Sequence, residues 1–298
     1  MKATTSSLAL LLAVSTADAA ISLSGPSVGA GWIAVAANYD FLDDQQTGDP
    51  ASDIVGTAVS PGFFTAFDSN YALSPTQSGP ALAFRTRLDD AGNGGNFTRN
   101  LWIGIDADLN GSVDAFIGVD TQSNKVSIGI YDSGSDLPTD NTGPSNTTIE
   151  KIPAYTAAGV AGVNYNYRAV TTGDGGTRLD LTGATDGTDT DFYVSCVVSF
   201  TDLAAFLTTE LPAAFNATTP FTVNTPIRYV LGTSTQGNSL NQDLGGIDNN
   251  NFVKTDTWQN LGGFSPIMTP TGQLVPEVSA TLLALIGSVF GFAFNRRR

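Results

Sequence analysis

The chain has 298 residues, with 28 acidic and 13 basic side chains, a formal charge of −15, one cysteine and no histidine. The missing histidine excludes Ser-His-Asp and Cys-His nucleophile systems and imidazole metal sites. The single Cys196 excludes an internal disulfide and a cysteine-clustered zinc site, and the acidity disfavours phosphate polymers, so no nucleic-acid partner is expected.

Of the acids, 25 are aspartate and 3 are glutamate. Aspartate prefers turns and caps, whereas glutamate suits helix interiors. With 32 glycines and many Thr, Asn and Ser, the chain reads as all-β with long polar loops.

Taken from the N-terminus, residues 1–19 read as a secretory signal. Lys2 is followed by the apolar run Leu8 to Val14, then Ala17-Asp18-Ala19 before Ala20, a pattern that signal peptidase reads. The body is expected over residues 20–264 as one domain, followed by a spacer over 265–274. Between Ala20 and Leu274 there are 9 basic and 26 acidic residues, a net charge of −17.

Period-two alternation marks the strands. Leu82, Phe84, Thr86 and Leu88 alternate with Ala83, Arg85 and Arg87, which predicts a strand with one wet face. Phe192, Val194, Cys196, Val198 and Phe200 alternate with Tyr193, Ser195, Val197 and Ser199. Further strands are expected at Trp32–Tyr39, Asn100–Asp106, Ser112–Asp120, Lys125–Tyr131, Tyr165–Thr171 and Ile227–Leu231, with turns at Asn110-Gly111, Asp174-Gly175-Gly176 and Asp186-Gly187. One short helix is expected over Asp202–Thr209, with Thr201 as its N-cap. Short strands between Gly-, Asp- and Asn-rich loops favour an antiparallel β-sandwich or jelly roll.

The best-formed chemical motif is Asp106-Ala107-Asp108-Leu109-Asn110-Gly111-Ser112-Val113-Asp114. Calcium takes six to eight oxygens, and alternate side chains on a sharply turning loop aim them at one centre. Asp106, Asp108, Asn110 and Asp114 would supply side-chain oxygens and Ser112 its carbonyl, with Gly111 permitting the turn. The spacing resembles calcium loops of the EF-hand and extracellular-repeat kind. Position twelve is Ile117 rather than glutamate, and strands flank the loop, so the resemblance implies weak extracellular-type binding. The alternative is a metal-free hairpin.

Two other acidic stretches, Asp186, Asp189 and Asp191, and Asp40, Asp43, Asp44 and Asp49, lack turn logic and read as solvated loops. Asn238, Asn241, Gln242 and Trp258 form a candidate carbohydrate patch, since rings stack on sugar faces and amides bond hydroxyls. Trp32 and Trp102 read as core, and Cys196 as a buried free thiol.

At the C-terminus Pro276-Glu277 precedes the largely apolar Val278 to Phe294, and the chain stops at Arg296-Arg297-Arg298. Seventeen helical residues cover roughly 25 Å, just short of a ~30 Å hydrocarbon core, and terminal arginines hold that end in the cytoplasm. The order Pro-Glu, short apolar helix, basic cluster resembles the PEP-CTERM sorting tail of bacterial surface proteins, with Val278 where the motif has its second proline. That resemblance implies an exosortase partner, cleavage near Pro276-Glu277, and a Gram-negative host that makes exopolysaccharide. The alternative is a plain C-terminal membrane anchor. Loosely, Ser199-Phe200-Thr201-Asp202-Leu203 is similar to the strand-to-turn element of DOMON-type sandwiches, without their proline.

These features lead to the expectation of an exported, non-enzymatic surface or exopolysaccharide-matrix protein, stabilised by structural calcium. The alternatives are a carbohydrate-binding module or a secreted polysaccharide hydrolase.

Overall fold

Alternating apolar residues build the centre of the molecule, and the strand at Leu82–Leu88 shows how. The computed structural model describes residues 20–275 apart from 29–30, 36–39, 41–43, 47–48, 75, 93–94, 122–124, 135–141, 146, 151–152, 176–178, 182–189 and 250–252. The expected signal segment, the tail from Pro276 to Arg298, and Asp43, Asp186 and Asp189 lie outside the described residues.

The chain is mostly β. In order come β1 (Ile33–Ala34), β2 (Phe63–Ser74), β3 (Gln77–Leu88), β4 (Asn100–Asp106), β5 (Ala115–Asp120), β6 (Ser127–Asp132), β7 (Tyr155–Ala158), β8 (Tyr165–Ala169), β9 (Phe192–Ser199) and β10 (Arg228–Ser234). They form two antiparallel five-stranded sheets, ordered β1-β2-β3-β9-β8 and β10-β4-β5-β6-β7. Helix α1 (Phe200–Glu210) follows β9 directly, and the one-turn α2 (Trp258–Leu261) lies near the end of the body. Among the described residues no helix is long and apolar enough to cross a membrane.

One face of each sheet contributes to a shared apolar cluster. Phe63, Leu82, Phe84, Val194 and Cys196 come from the first sheet, and Leu101, Ile103, Ile105, Ile117 and Tyr229 from the second. Tyr229 meets the edges of Phe63 and Phe84, with ring centroids 6.0 and 5.4 Å apart. Edge-to-face aromatic pairs add about 0.5–1.5 kcal/mol beyond the area they bury. Helix α1 contributes Phe200, Leu203, Phe206 and Leu207 to this cluster, three of them one helical turn apart.

The expected wet face of β3 is dry. Arg85 and Arg87 are 0% and 1% exposed, because the outer face of the first sheet is covered by Ile21, Leu23, Trp32 and Val170. Arg85 lies 4.2 Å from the Trp32 ring and donates to Ser195 Oγ, Ser27 Oγ and the carbonyls of Ser22 and Leu23. Arg87 pairs with buried Asp191. The second sheet is covered as well: Trp102, Phe116, Tyr131 and Val230 pack beneath Ile149, Leu244, Ile247 and Trp258. Trp102 faces Gly118 across the β4–β5 ladder, and a Cβ on Gly118 would lie 2.1 Å from the indole. Glycine in a strand here makes room for a ring.

Several boundaries move. The α1 N-cap is Ser199, whose Oγ accepts from the Asp202 amide, rather than Thr201. Around Trp32 only Ile33–Ala34 are described as strand, paired with β2. β5 starts at Ala115, because residues 107–114 form a loop closed by the Asp114 amide donating to the Ile105 carbonyl at 2.8 Å. Strands β2 and β7 and helix α2 were not expected. The expected spacer is packed: Met268 is buried and exchanges backbone hydrogen bonds with Ile227 at 2.8 and 3.0 Å.

Candidate metal centre

The end of β4 and the start of β5 fix the ends of the aspartate loop. Asp106 closes β4 and Asp114 immediately precedes β5, so the hairpin ladder itself brings these two carboxylates together. Leu109 at φ 62° and Gly111 at φ 92° turn the chain between them, the second in a conformation that glycine adopts freely. Oxygens of Asp106, Asp108 and Asp114 lie within 4.8 Å of one another, with Asp108 exposed and the other two buried.

Hydrogen bonds hold this arrangement. Asp114 Oδ2 accepts from the Ala107 amide at 2.7 Å, and Asp106 Oδ2 accepts from the Gly111 amide at 3.1 Å. Asn110 donates to Asp108 through its amide groups, and its own Oδ1 accepts from the Ser112 amide at 2.7 Å. The structure therefore unites the three carboxylates and commits the Asn110 oxygen to the backbone. Asp106 Oδ1 is sealed from solvent and accepts from no donor.

One residue that local spacing did not reveal completes the surroundings. Arg228 at the start of β10 donates to Asp106 Oδ2 and to Gln259 Oε1, and its guanidinium lies 4.2 Å from the Phe264 ring. It reaches the loop because β10 pairs with β4 in a register that sets Arg228 opposite Asp106. Burial pushes the Asp106 carboxyl up, against the opposing pull of Arg228. Burial pushes the Asp114 carboxyl up to about 7, outweighing the amide bond from Ala107. Chemically, the loop is an oxygen-only donor set suited to a hard cation, with one of its charges already matched by arginine.

The expected carbohydrate patch does not present its ring. Trp258 is 0% exposed, packed among Trp102, Val113 and Ile247, and its Nε1 donates to Thr147 Oγ1 at 3.2 Å. No sugar can stack on it in this fold. Gln242 is buried, and Asn241 Oδ1 is taken by Ser234 and the Thr235 amide. Asn238 remains near the surface on the same loop. A different feature opens elsewhere: a groove of about 190 Å³ beside the edge strand β7, lined by Gln77, Tyr155, Thr156, Asn164 and Asp202 among others.

In the other acidic stretches, Asp191 and Asp44 are not solvated as expected. Asp191 is buried against Arg87, and burial pushes its carboxyl up to about 6 despite that partner. Asp44 is buried, whereas Asp49 caps the turn at Pro50–Ser52 and pairs with half-exposed Arg99. Cys196 is buried and its thiol is pushed up to about 12 by burial. Trp32 and Trp102 are both buried. The sorting residues Pro276, Glu277, Arg296, Arg297 and Arg298 lie outside the described residues.

No known family, curated protein or solved structure matches the chain. The class defined by the fold is an antiparallel two-sheet protein with both outer faces covered and an acidic oxygen site at one hairpin end.

Proposed function

We propose that the chain is an exported, non-enzymatic structural protein of the cell surface or exopolysaccharide matrix, sorted through its C-terminal tail and stabilised by calcium. The carrying observation is the order of the tail: Pro276-Glu277, the apolar Val278 to Phe294, and Arg296-Arg297-Arg298. In this reading signal peptidase removes residues 1–19, the tail forms a hydrophobic helix that anchors the chain in the inner membrane with its arginines inside, and an exosortase cuts near Pro276. The body is a β-sandwich, as its two packed sheets support. A net charge of −17 between Ala20 and Leu274 suits a soluble body that gathers divalent cations in such a matrix. Intact-mass measurement of the protein from its native host tests the sorting step. A mass ending near Pro276 is expected, and one that retains Val278 to Arg298 refutes cleavage.

Calcium stabilisation in this reading belongs to Asp106, Asp108 and Asp114. Calcium added to chelator-treated full chain should raise its melting temperature, and Asp108→Asn should remove that loop's part of the rise. No change at millimolar calcium would refute it.

A second reading, carbohydrate binding, is supported by the groove beside β7 and not by Trp258. Tyr155 there is 37% exposed and offers a ring to a sugar face, with Gln77 beside it as an amide donor and acceptor. Retention on an exopolysaccharide column that is lost in Tyr155→Ala and kept in Gln259→Ala is the expected result for this reading.

A further inference from the structure

A second acidic group is assembled from two loops far apart in the chain. Asp40 and Asp44 lie on the loop after β1, and Asp243 on the loop after β10, yet all three bring carboxylate oxygens within 4.8 Å of one another. Asp44 and Asp243 are 4% and 0% exposed. Asp106, Asp174 and Asp191 each pair with an arginine, whereas none of the ion pairs among the described residues involves Asp44 or Asp243.

Backbone amides hold these carboxylates from behind. Asp243 Oδ2 accepts from the Ile54 amide at 2.5 Å, and its Oδ1 accepts from the Leu244 amide at 2.7 Å and Asn249 Nδ2 at 2.6 Å. Asp44 Oδ2 accepts from the Asn249 amide at 2.8 Å, and Asp40 Oδ1 from the Gly246 amide at 3.1 Å. The carboxyl of Asp44 faces that of Asp243. Its second oxygen, Oδ1, is sealed from solvent with no donor, as is the amide oxygen of Asn249, a residue that bonds Asp44 through its backbone amide and Asp243 through its side chain. Gln45, next in the chain to Asp44, also carries a sealed amide oxygen with no donor. Burial and mutual repulsion push the Asp40 and Asp243 carboxyls well above their usual range, with Asp53 close enough to add to the repulsion.

Carboxylates this close in a low-dielectric wall cannot all be charged without a counter-charge. The remaining donors are oxygens only, which selects a hard cation over zinc or copper. Calcium tolerates six to eight oxygens in irregular geometry, while magnesium demands a near-ideal octahedron and keeps several waters. We propose that Asp40, Asp44 and Asp243 form a buried calcium-type site, with Asp53 in its wall, that fastens the loop after β1 to the loop after β10. It is separate from the Asp106–Asp114 loop and stands whether or not that loop binds metal.

The test uses the full chain carrying Asp108→Asn and Asp114→Asn, which silences the hairpin loop, stripped with chelator and titrated with calcium chloride. Saturable binding and a rise in melting temperature of about 5 °C at millimolar calcium are expected. Adding Asp44→Asn should weaken binding at least ~10-fold, since one charged ligand of three is lost. Should that variant fail to fold, terbium soaked into crystals of the parent variant decides the matter: anomalous density within ~2.3–2.6 Å of Asp44 and Asp243 oxygens is expected. Absence of binding and of that density, with stabilisation only on acidification, would mean that protons rather than a cation occupy the site. That result overturns the proposal.

Discussion

Arg85 ties the covering segment to the first sheet, and none of the ion pairs among the described residues involves it. Its guanidinium spends its donors on Ser195, Ser27 and the carbonyls of Ser22 and Leu23, between the rings of Trp32 and Tyr193. Burial lowers its pKa to about 9. Arg85→Met leaves those buried carbonyls without a donor and should destabilise the protein by about 3 kcal/mol in urea unfolding. Arg85→Lys should recover little, because an ammonium cannot reproduce the planar fork. Asp174 anchors the same segment from the other side. It accepts from the Ser27 amide at 2.8 Å and from Arg168 and Thr171. Burial opposes its ionisation, but these hydrogen bonds outweigh burial and hold the carboxyl well below its usual range. A depressed folded pKa means stability that is present at neutral pH and lost as pH falls below ~3.9 toward the folded value. Amide exchange across residues 20–28 should therefore accelerate below about pH 4, and Asp174→Asn should show the fast exchange already at pH 7.

At the scale of elements, the shift of the helix cap is directly testable. Ser199 Oγ meets the Asp202 amide at 3.2 Å, so Ser199→Ala should lose about 1 kcal/mol, while Thr201→Ala, inside the first turn, should change stability by under ~0.5 kcal/mol. Urea midpoints of the two variants check this. The same elements show what local pattern can reveal. β4 was legible at both ends and β9 to within one residue, because each is a mostly apolar run bounded by polar residues. β2 was not, because Asp68, Ser69 and Asn70 interrupt its apolar run where the pairing with β3 shifts register. The dryness of the outer faces was illegible for another reason: Arg85 and Arg87 look solvated until distant segments are laid over them. The aspartate hairpin was legible since all its acids lie within nine residues of sequence from Asp106 to Asp114. The Asp40–Asp44–Asp243 group was not, as Asn249 and Asp44 alone stand 205 residues apart. Trp258 was misread because exposure cannot be inferred from an amide-rich neighbourhood.

For the whole molecule the order of strands is decisive. The chain lays down β1 to β3 in one sheet and β4 to β7 in the other, returns to the first with β8 and β9, and finishes the second with β10. Neither sheet is complete before its late strand arrives, and both feed one shared apolar cluster. Urea unfolding followed by tryptophan fluorescence and by far-ultraviolet circular dichroism should therefore give one coincident transition. Separate midpoints would show that the sheets melt independently. The pairing of β10 with β4 joins Arg228 to Asp106 across 122 residues, and that of β9 with β3 joins Ser195 to Arg85 across 110. Contacts so distant along the chain make folding slow. They also set its timing. During synthesis β4, with Leu101, Ile103 and Ile105 along it, is made long before the neighbour that closes its edge. An open apolar edge is a template for pairing with other chains, so the nascent protein carries its greatest aggregation hazard until its last strand emerges.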